Sequence, residues 1–125
     1  DNLGGDILGI TTYRVTWNKW LKFIRYPFPI AFYTTKASLA GIPWTTIIST
    51  ELQAEPWIPG TKGLTETSLA TQFYSMSLEQ FGANINYGRA LQVRDVYLWG
   101  VEWWYWLKVN GNDAFWNEAK KLWAE

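Results

Sequence analysis

Three apolar runs, each closing on polar residues, constrain this chain more than any other feature. They are "DILGITTYR" (Asp6 to Arg14), "PWTTIISTEL" (Pro43 to Leu52) and "VRDVYLWGVEWW" (Val93 to Trp104). β-Branched and aromatic residues dominate them, as suits a pleated, buried surface. They predict strands over about 6–13, 44–51 and 95–102. Near-continuous apolarity is the pattern of parallel strands covered by helices.

The segments between the strands supply the helices. In "VTWNKWLKFIRYPFP", Trp17, Trp20, Leu21 and Ile24 fall at helical spacing, and Pro27 and Pro29 close the stretch. A helix is predicted from Pro29 to Ala40, with Gly41 just past its end. A short helix fits Thr67 to Tyr74. A longer one starts at Ser77 and runs to Leu91, with Gln80 reaching back in a capping box and Met76 stapled on Phe81. After the "VNGND" turn, Asn112 or Asp113 caps a last helix that carries Phe115, Trp116, Ala119, Leu122 and Trp123 on one side. The order β-α-β-α-β-α implies an α/β fold, one domain over 1–125, with parallel strands and right-handed crossovers. No Gly-rich phosphate loop follows any strand, which disfavours a dinucleotide fold.

Composition narrows the chemistry. The chain has no Cys and no His, which removes thiol nucleophiles, His-based triads and the common zinc sites. No metal or cofactor is expected. Acid–base work falls to carboxylates, Lys or Tyr. Eleven basic and eleven acidic residues balance, so net charge gives no electrostatic case for nucleic acid or a membrane as partner. Neutrality also leaves little repulsion to oppose self-association. The chain begins at Asp1, which suggests processing or a fragment.

Functional groups of parallel α/β sheets gather at the C-terminal ends of strands. Tyr13 with Arg14, Glu51, and Glu102 among tryptophans all fall at such ends. Alternation gives Ile47, Ser49 and Glu51 a common face within the second run, and Ile7, Gly9, Thr11 and Tyr13 a common face within the first. In the third run the choice is open between Tyr97, Trp99, Val101 and Trp103, and Leu98, Gly100 and Glu102; one bulge exchanges them. A retaining glycosidase needs two carboxyls ~5–5.5 Å apart. Neighbouring strands at ~4.8 Å can deliver Glu51 and Glu102 to that distance. The ten tryptophans suit flat apolar faces such as sugar rings. Trp57, Trp99 and Trp103 are the candidates for stacking; Trp17, Trp20, Trp44, Trp104, Trp106, Trp116 and Trp123 are assigned to packing.

"DILGITTYR", "TIISTELQAEPW" and "DVYLWGVEWWYW" together resemble the last three strand units of a cellulase-like, retaining (β/α)8-barrel glycoside hydrolase. The resemblance implies a partial TIM barrel. It matches Tyr13 to the aromatic ending strand six, Glu51 to the nucleophile ending strand seven, and Trp99, or else Trp103, to the strand-eight tryptophan. The clan's acid/base glutamate stands on strand four, before anything present here. "AEP" at Ala54 to Pro56 is similar to the motif around that residue, but it lies in the same segment as Glu51, so the likeness is read as coincidental. Glu102 remains the internal acid/base candidate, and Arg14 is expected beside Glu51. The expected partner is an oligo- or polysaccharide, together with a second copy or a complementary N-terminal barrel part. The alternative is a non-catalytic half-barrel that self-associates or binds carbohydrate weakly.

Overall fold

The computed structural model describes residues 5–124. It is a mixed α/β fold. A parallel three-stranded sheet is built from β1 (Leu8–Thr12), β4 (Ile47–Gln53) and β5 (Val96–Trp99), in the order β1-β4-β5. Between β1 and β4 lie an antiparallel hairpin, β2 (Val15–Asn18) and β3 (Lys22–Arg25), and the helix α1 (Ile30–Leu39). Between β4 and β5 lie α2 (Leu69–Ser75) and α3 (Leu78–Leu91). After β5 come α4 (Val101–Val109) and α5 (Ala114–Lys120).

The three expected strands exist with shifted limits, at 8–12, 47–53 and 96–99. Two segments differ in kind. Residues 15–25 form a hairpin, not a helical stretch. Trp17 pairs with Phe23 and Thr16 with Ile24, so the apolar set that matched a helical period is satisfied across two short strands. The third strand stops at Trp99, because Gly100 takes φ +139° and turns the chain into α4. Trp103, Trp104 and Leu107 then share the buried side of that helix. Glu102 is therefore a first-turn helix residue, not a strand end.

β4 carries a bulge. Ile10 pairs with Ser49 but Thr11 pairs with Glu51, and on the other side Val96 pairs with Ser49 but Leu98 with Leu52. Both ladders thus count one extra residue in β4, at about Thr50. A bulge reverses the alternation beyond it. Glu51 lies opposite Thr11, on the face away from Ile47 and Ser49, which corrects the single-face expectation. The Thr50 methyl occupies space that a Cβ at Gly9 would enter at 2.8 Å, so the bulge needs glycine there.

Helices cover one face of this sheet. A Cβ on Gly88 of α3 would meet Leu52 at 2.6 Å and Val96 at 3.4 Å, so the helix backbone sits directly on that face. Ala37 and Tyr33 of α1 border Ile10 and Ile47. On the other face, Tyr97 and Trp99 are 55% and 50% exposed. The main core lies among α2 to α5 and the end of β4, with Ala54, Met76, Phe81, Trp103, Trp104 and Phe115 buried together. Ser77 caps α3 by accepting from the Gln80 amide N–H at 3.1 Å. The Gln80 side chain does not complete the expected box; it accepts from Arg25 and donates to Asn84.

Candidate functional site

The site lies at the C-terminal rim of the sheet, where β1 and β4 end. The Tyr13 hydroxyl donates to Glu51 Oε2 at 2.7 Å. Burial, then the bond to Glu51, then the charges of Glu51 and Glu55 raise the Tyr13 pKa. The phenol therefore stays protonated and remains a donor through the ordinary pH range.

The backbone around this pair is fixed by a buried amide. Gln53 Oε1 accepts from the Arg14 and Val15 N–H groups at 2.9 and 2.8 Å, and Gln53 Nε2 donates to Val15 O at 2.7 Å. Asn84 Nδ2 in turn donates to Gln53 O at 2.8 Å. This ties the segment following Tyr13 to β4 and α3. Among the described residues no buried side-chain polar atom lacks a partner, as a rigid buried polar network requires.

Trp57 closes one side of the site. Its ring meets Tyr13 edge-on, with centroids 5.4 Å apart, and its backbone N–H donates to Ser75 Oγ at 3.1 Å. Tyr13, Gln53, Glu55 and Trp57 line a cleft of about 260 Å³.

Glu55, set aside in the sequence as a coincidence, belongs to this cleft. Trp99 Nε1 donates to its Oε1 at 2.9 Å. Burial raises the Glu55 pKa, the Trp99 bond opposes that, and the nearby charge of Glu102 adds to it. The folded chain thus holds this proton to higher pH than the unfolded chain. Stability from that proton is present below the ordinary carboxylate pKa and is lost as pH rises through the raised one. We expect Glu55→Gln, which keeps an acceptor for Trp99, to gain on wild type across that window and to run parallel above it. Urea midpoints taken from acid to neutral pH check this; parallel curves throughout would count against a raised Glu55.

The remaining sequence candidates are dispersed. Arg14 donates from Nη1 to Phe28 O at 2.9 Å, and its guanidinium lies 4.1 Å from the Tyr87 ring centroid. Those contacts replace the expected one with Glu51. Trp103 is 1% exposed and donates from Nε1 to Gln72 Oε1 at 2.7 Å, so it is a core residue and not a stacking platform. Glu102 is exposed in α4 and reaches the site only as a charge near Glu55. Trp99 and Trp57 are at the rim as expected, at least partly open to solvent. Two of the tryptophans assigned to packing, Trp20 and Trp123, are among the most exposed residues. Sequence reasoning missed Gln53; its signal was an amide two residues past Glu51 in a run that continues as strand.

No group of acidic residues among those described is placed to hold a metal ion. No described helix is long and apolar enough to cross a membrane. Fold and site define a mixed α/β chain with a tyrosine–carboxylate pair at the rim of its parallel three-stranded sheet. No protein family, no curated protein and no solved structure matches the chain.

Proposed function

We propose that the chain is the C-terminal wall of a (β/α)8-type barrel, about three βα units, carrying the nucleophile of a retaining glycosidase. The observation that carries this reading is the 2.7 Å bond from Tyr13 to Glu51 at the strand-end rim, beside a cleft walled by Trp57. Three parallel strands lie side by side in chain order, with helices on one face and an open face opposite. That arrangement is the one a barrel wall requires, since the open face becomes the barrel interior.

In this reading a Glu51 oxygen attacks the anomeric carbon of an oligo- or polysaccharide as the bond to the leaving oxygen breaks. Water later releases the glycosyl-enzyme. Tyr13 orients the carboxylate and stabilises its charge. Glu55, half-buried with a raised pKa, takes the acid position that the sequence had given to Glu102.

The test is covalent trapping. A 2-deoxy-2-fluoroglycosyl fluoride slows release of the glycosyl-enzyme, so the adduct accumulates. Peptide mass mapping should find the fluoroglycosyl group on Glu51. An adduct on another carboxylate, or none with any sugar of a panel, would sink the assignment.

A second reading has its own support in the open face and in β1 and β5 as edge strands of the sheet. Open parallel edges associate. In this reading the chain is a scaffold that pairs with a second copy or with a complementary N-terminal barrel part, and binds carbohydrate without turnover. Light scattering on a sizing column should then give a mass above one chain. A clean monomer at high concentration would count against it for the isolated chain.

A further inference from the structure

We infer that the tip of the β2–β3 hairpin is an anchor that seats the protein on an anionic lipid surface. Trp20 and Leu21 occupy the tip and are 78% and 71% exposed. They are adjacent, in the three-residue turn that joins β2 to β3. Lys19 and Lys22 flank them, with the Lys19 ammonium 4.8 Å from the Trp20 ring centroid.

The chain that carries the tip is one-sided in charge. From Ile7 to Thr50 the chain contains Arg14, Lys19, Lys22, Arg25 and Lys36 and no Asp or Glu. Net neutrality is an average over this basic segment and a more acidic remainder. Two apolar residues flanked by Lys19 and Lys22 complement a bilayer interface, where the lysines meet phosphate oxygens and the apolar groups enter the acyl boundary.

The backbone is prepared for that transfer. Asn18 Oδ1 accepts from the Trp20 N–H at 2.8 Å and from the Leu21 N–H at 3.3 Å. Lys22 takes φ +61°, which closes the three-residue loop in a fixed conformation. The N–H groups that would enter the interface are already bonded inside the tip, so they leave water at little cost. Trp at an interface keeps its indole N–H at the headgroup level while its rings leave water. Leu21 distinguishes this partner from a polysaccharide. An aliphatic side chain offers no flat face for a sugar ring, whereas it gains fully from acyl contact.

The hairpin leaves the sheet at the rim that carries Tyr13 and Glu51. The inference does not depend on the glycosidase reading, and its test uses no substrate.

The experiment is co-sedimentation of the full chain with vesicles of phosphatidylcholine, with and without phosphatidylglycerol. Binding is expected to the mixed vesicles at low salt, to weaken as salt rises, and to be much weaker on phosphatidylcholine alone. Lys19→Gln with Lys22→Gln should lower partitioning roughly thirtyfold. Trp20→Ser with Leu21→Ser should lower it on the order of a hundredfold. Both pairs lie on an exposed turn, and unchanged circular dichroism confirms that they fold. No binding to the mixed vesicles at low salt overturns the proposal, as does binding that both double variants leave intact. If soluble polygalacturonate is bound instead, and these variants abolish that binding while vesicles stay unbound, the tip is a saccharide platform and the lipid assignment fails.

Discussion

Gly100→Ala is expected to destabilise the fold by about 2–6 kcal/mol, from strain of about 1–3 kcal/mol and overpacking of similar size. The strain arises because φ at this position is +139°, in a region that side chains rarely adopt. The overpacking arises because a Cβ there would lie 2.7 Å from Glu55 Cβ and 2.8 and 2.9 Å from Ala54 C and O. Two of those three atoms are backbone and cannot rotate away. Ala54 is itself pinned: its N–H donates to Trp99 O at 2.9 Å, and its carbonyl accepts from Trp104 Nε1 at 2.7 Å. A loss of this size is a large part of the ~5–15 kcal/mol that holds a domain folded. It should lower the thermal midpoint by roughly 10–20 °C. Gly82 is the control. It lies inside α3, and a Cβ there would meet nothing within 4 Å. Gly82→Ala should therefore stabilise by about 0.5–1 kcal/mol. Urea and thermal melts of the two variants should move in opposite directions. A Gly100→Ala midpoint within experimental error of wild type would show that Ala54 and Gly100 are not in contact. The placement of Glu55 beside Trp99 would fall with it.

The same contact shows why only part of the site was legible in the sequence. Tyr13 and Glu51 were readable because each closes a β-branched run, and strand ends in parallel sheets are where chemistry collects. Glu55 was not, because its importance comes from Trp99, which is far away in sequence and arrives only when β5 pairs with β4 in register Gln53 to Trp99. The face of Glu51 was misassigned for a similar reason. A bulge is defined by the partner strands, and nothing local to Thr50 announces it. Local ambiguity accounts for the other misreadings. Trp17, Trp20, Leu21 and Ile24 satisfy a helical period, but Trp17 and Phe23 also satisfy a two-strand pairing, and the pairing won. In "VEWWYWLKV" an aromatic run imitated a strand, while the turn at Gly100 started a helix that buries Trp103, Trp104 and Leu107. Helices with clear punctuation fared well: α1 between Pro29 and Gly41, and α3 from the Ser77 cap, lie where they were expected. Net charge is an average, and the acid-free stretch before Glu51 is visible only when the charges are placed along the chain.

On the retaining-glycosidase reading proposed above, Glu51→Ala is expected to abolish turnover of nitrophenyl glycosides, by at least roughly 10⁴-fold in kcat/KM, or about 5 kcal/mol of transition-state stabilisation. A nitrophenyl substrate isolates the nucleophile. Its leaving oxygen departs as a stable phenolate with the bonding electron pair, so the first step needs no proton donor. The rate then depends on Glu51 and on what orients it. Tyr13→Phe should cost about 10- to 150-fold, the worth of one hydrogen bond to a charged acceptor, about 1.5–3 kcal/mol. The ring survives in that variant, so the edge contact with Trp57 and the fold are kept. Glu102→Gln should change the same rate only a few-fold, because Glu102 is exposed in the first turn of α4 and acts at a distance as charge. A chemical rescue separates a lost nucleophile from a damaged fold. In Glu51→Ala the missing carboxylate leaves room for azide, which can attack the anomeric carbon from the same side. The phenolate leaves, and a glycosyl azide of inverted configuration accumulates. Restored nitrophenolate release with that product assigns the bond-forming oxygen to Glu51. Equal rates for wild type and Glu51→Ala, with or without azide, would instead leave Glu51 as a hydrogen-bond acceptor for Tyr13 and favour the non-catalytic half-barrel.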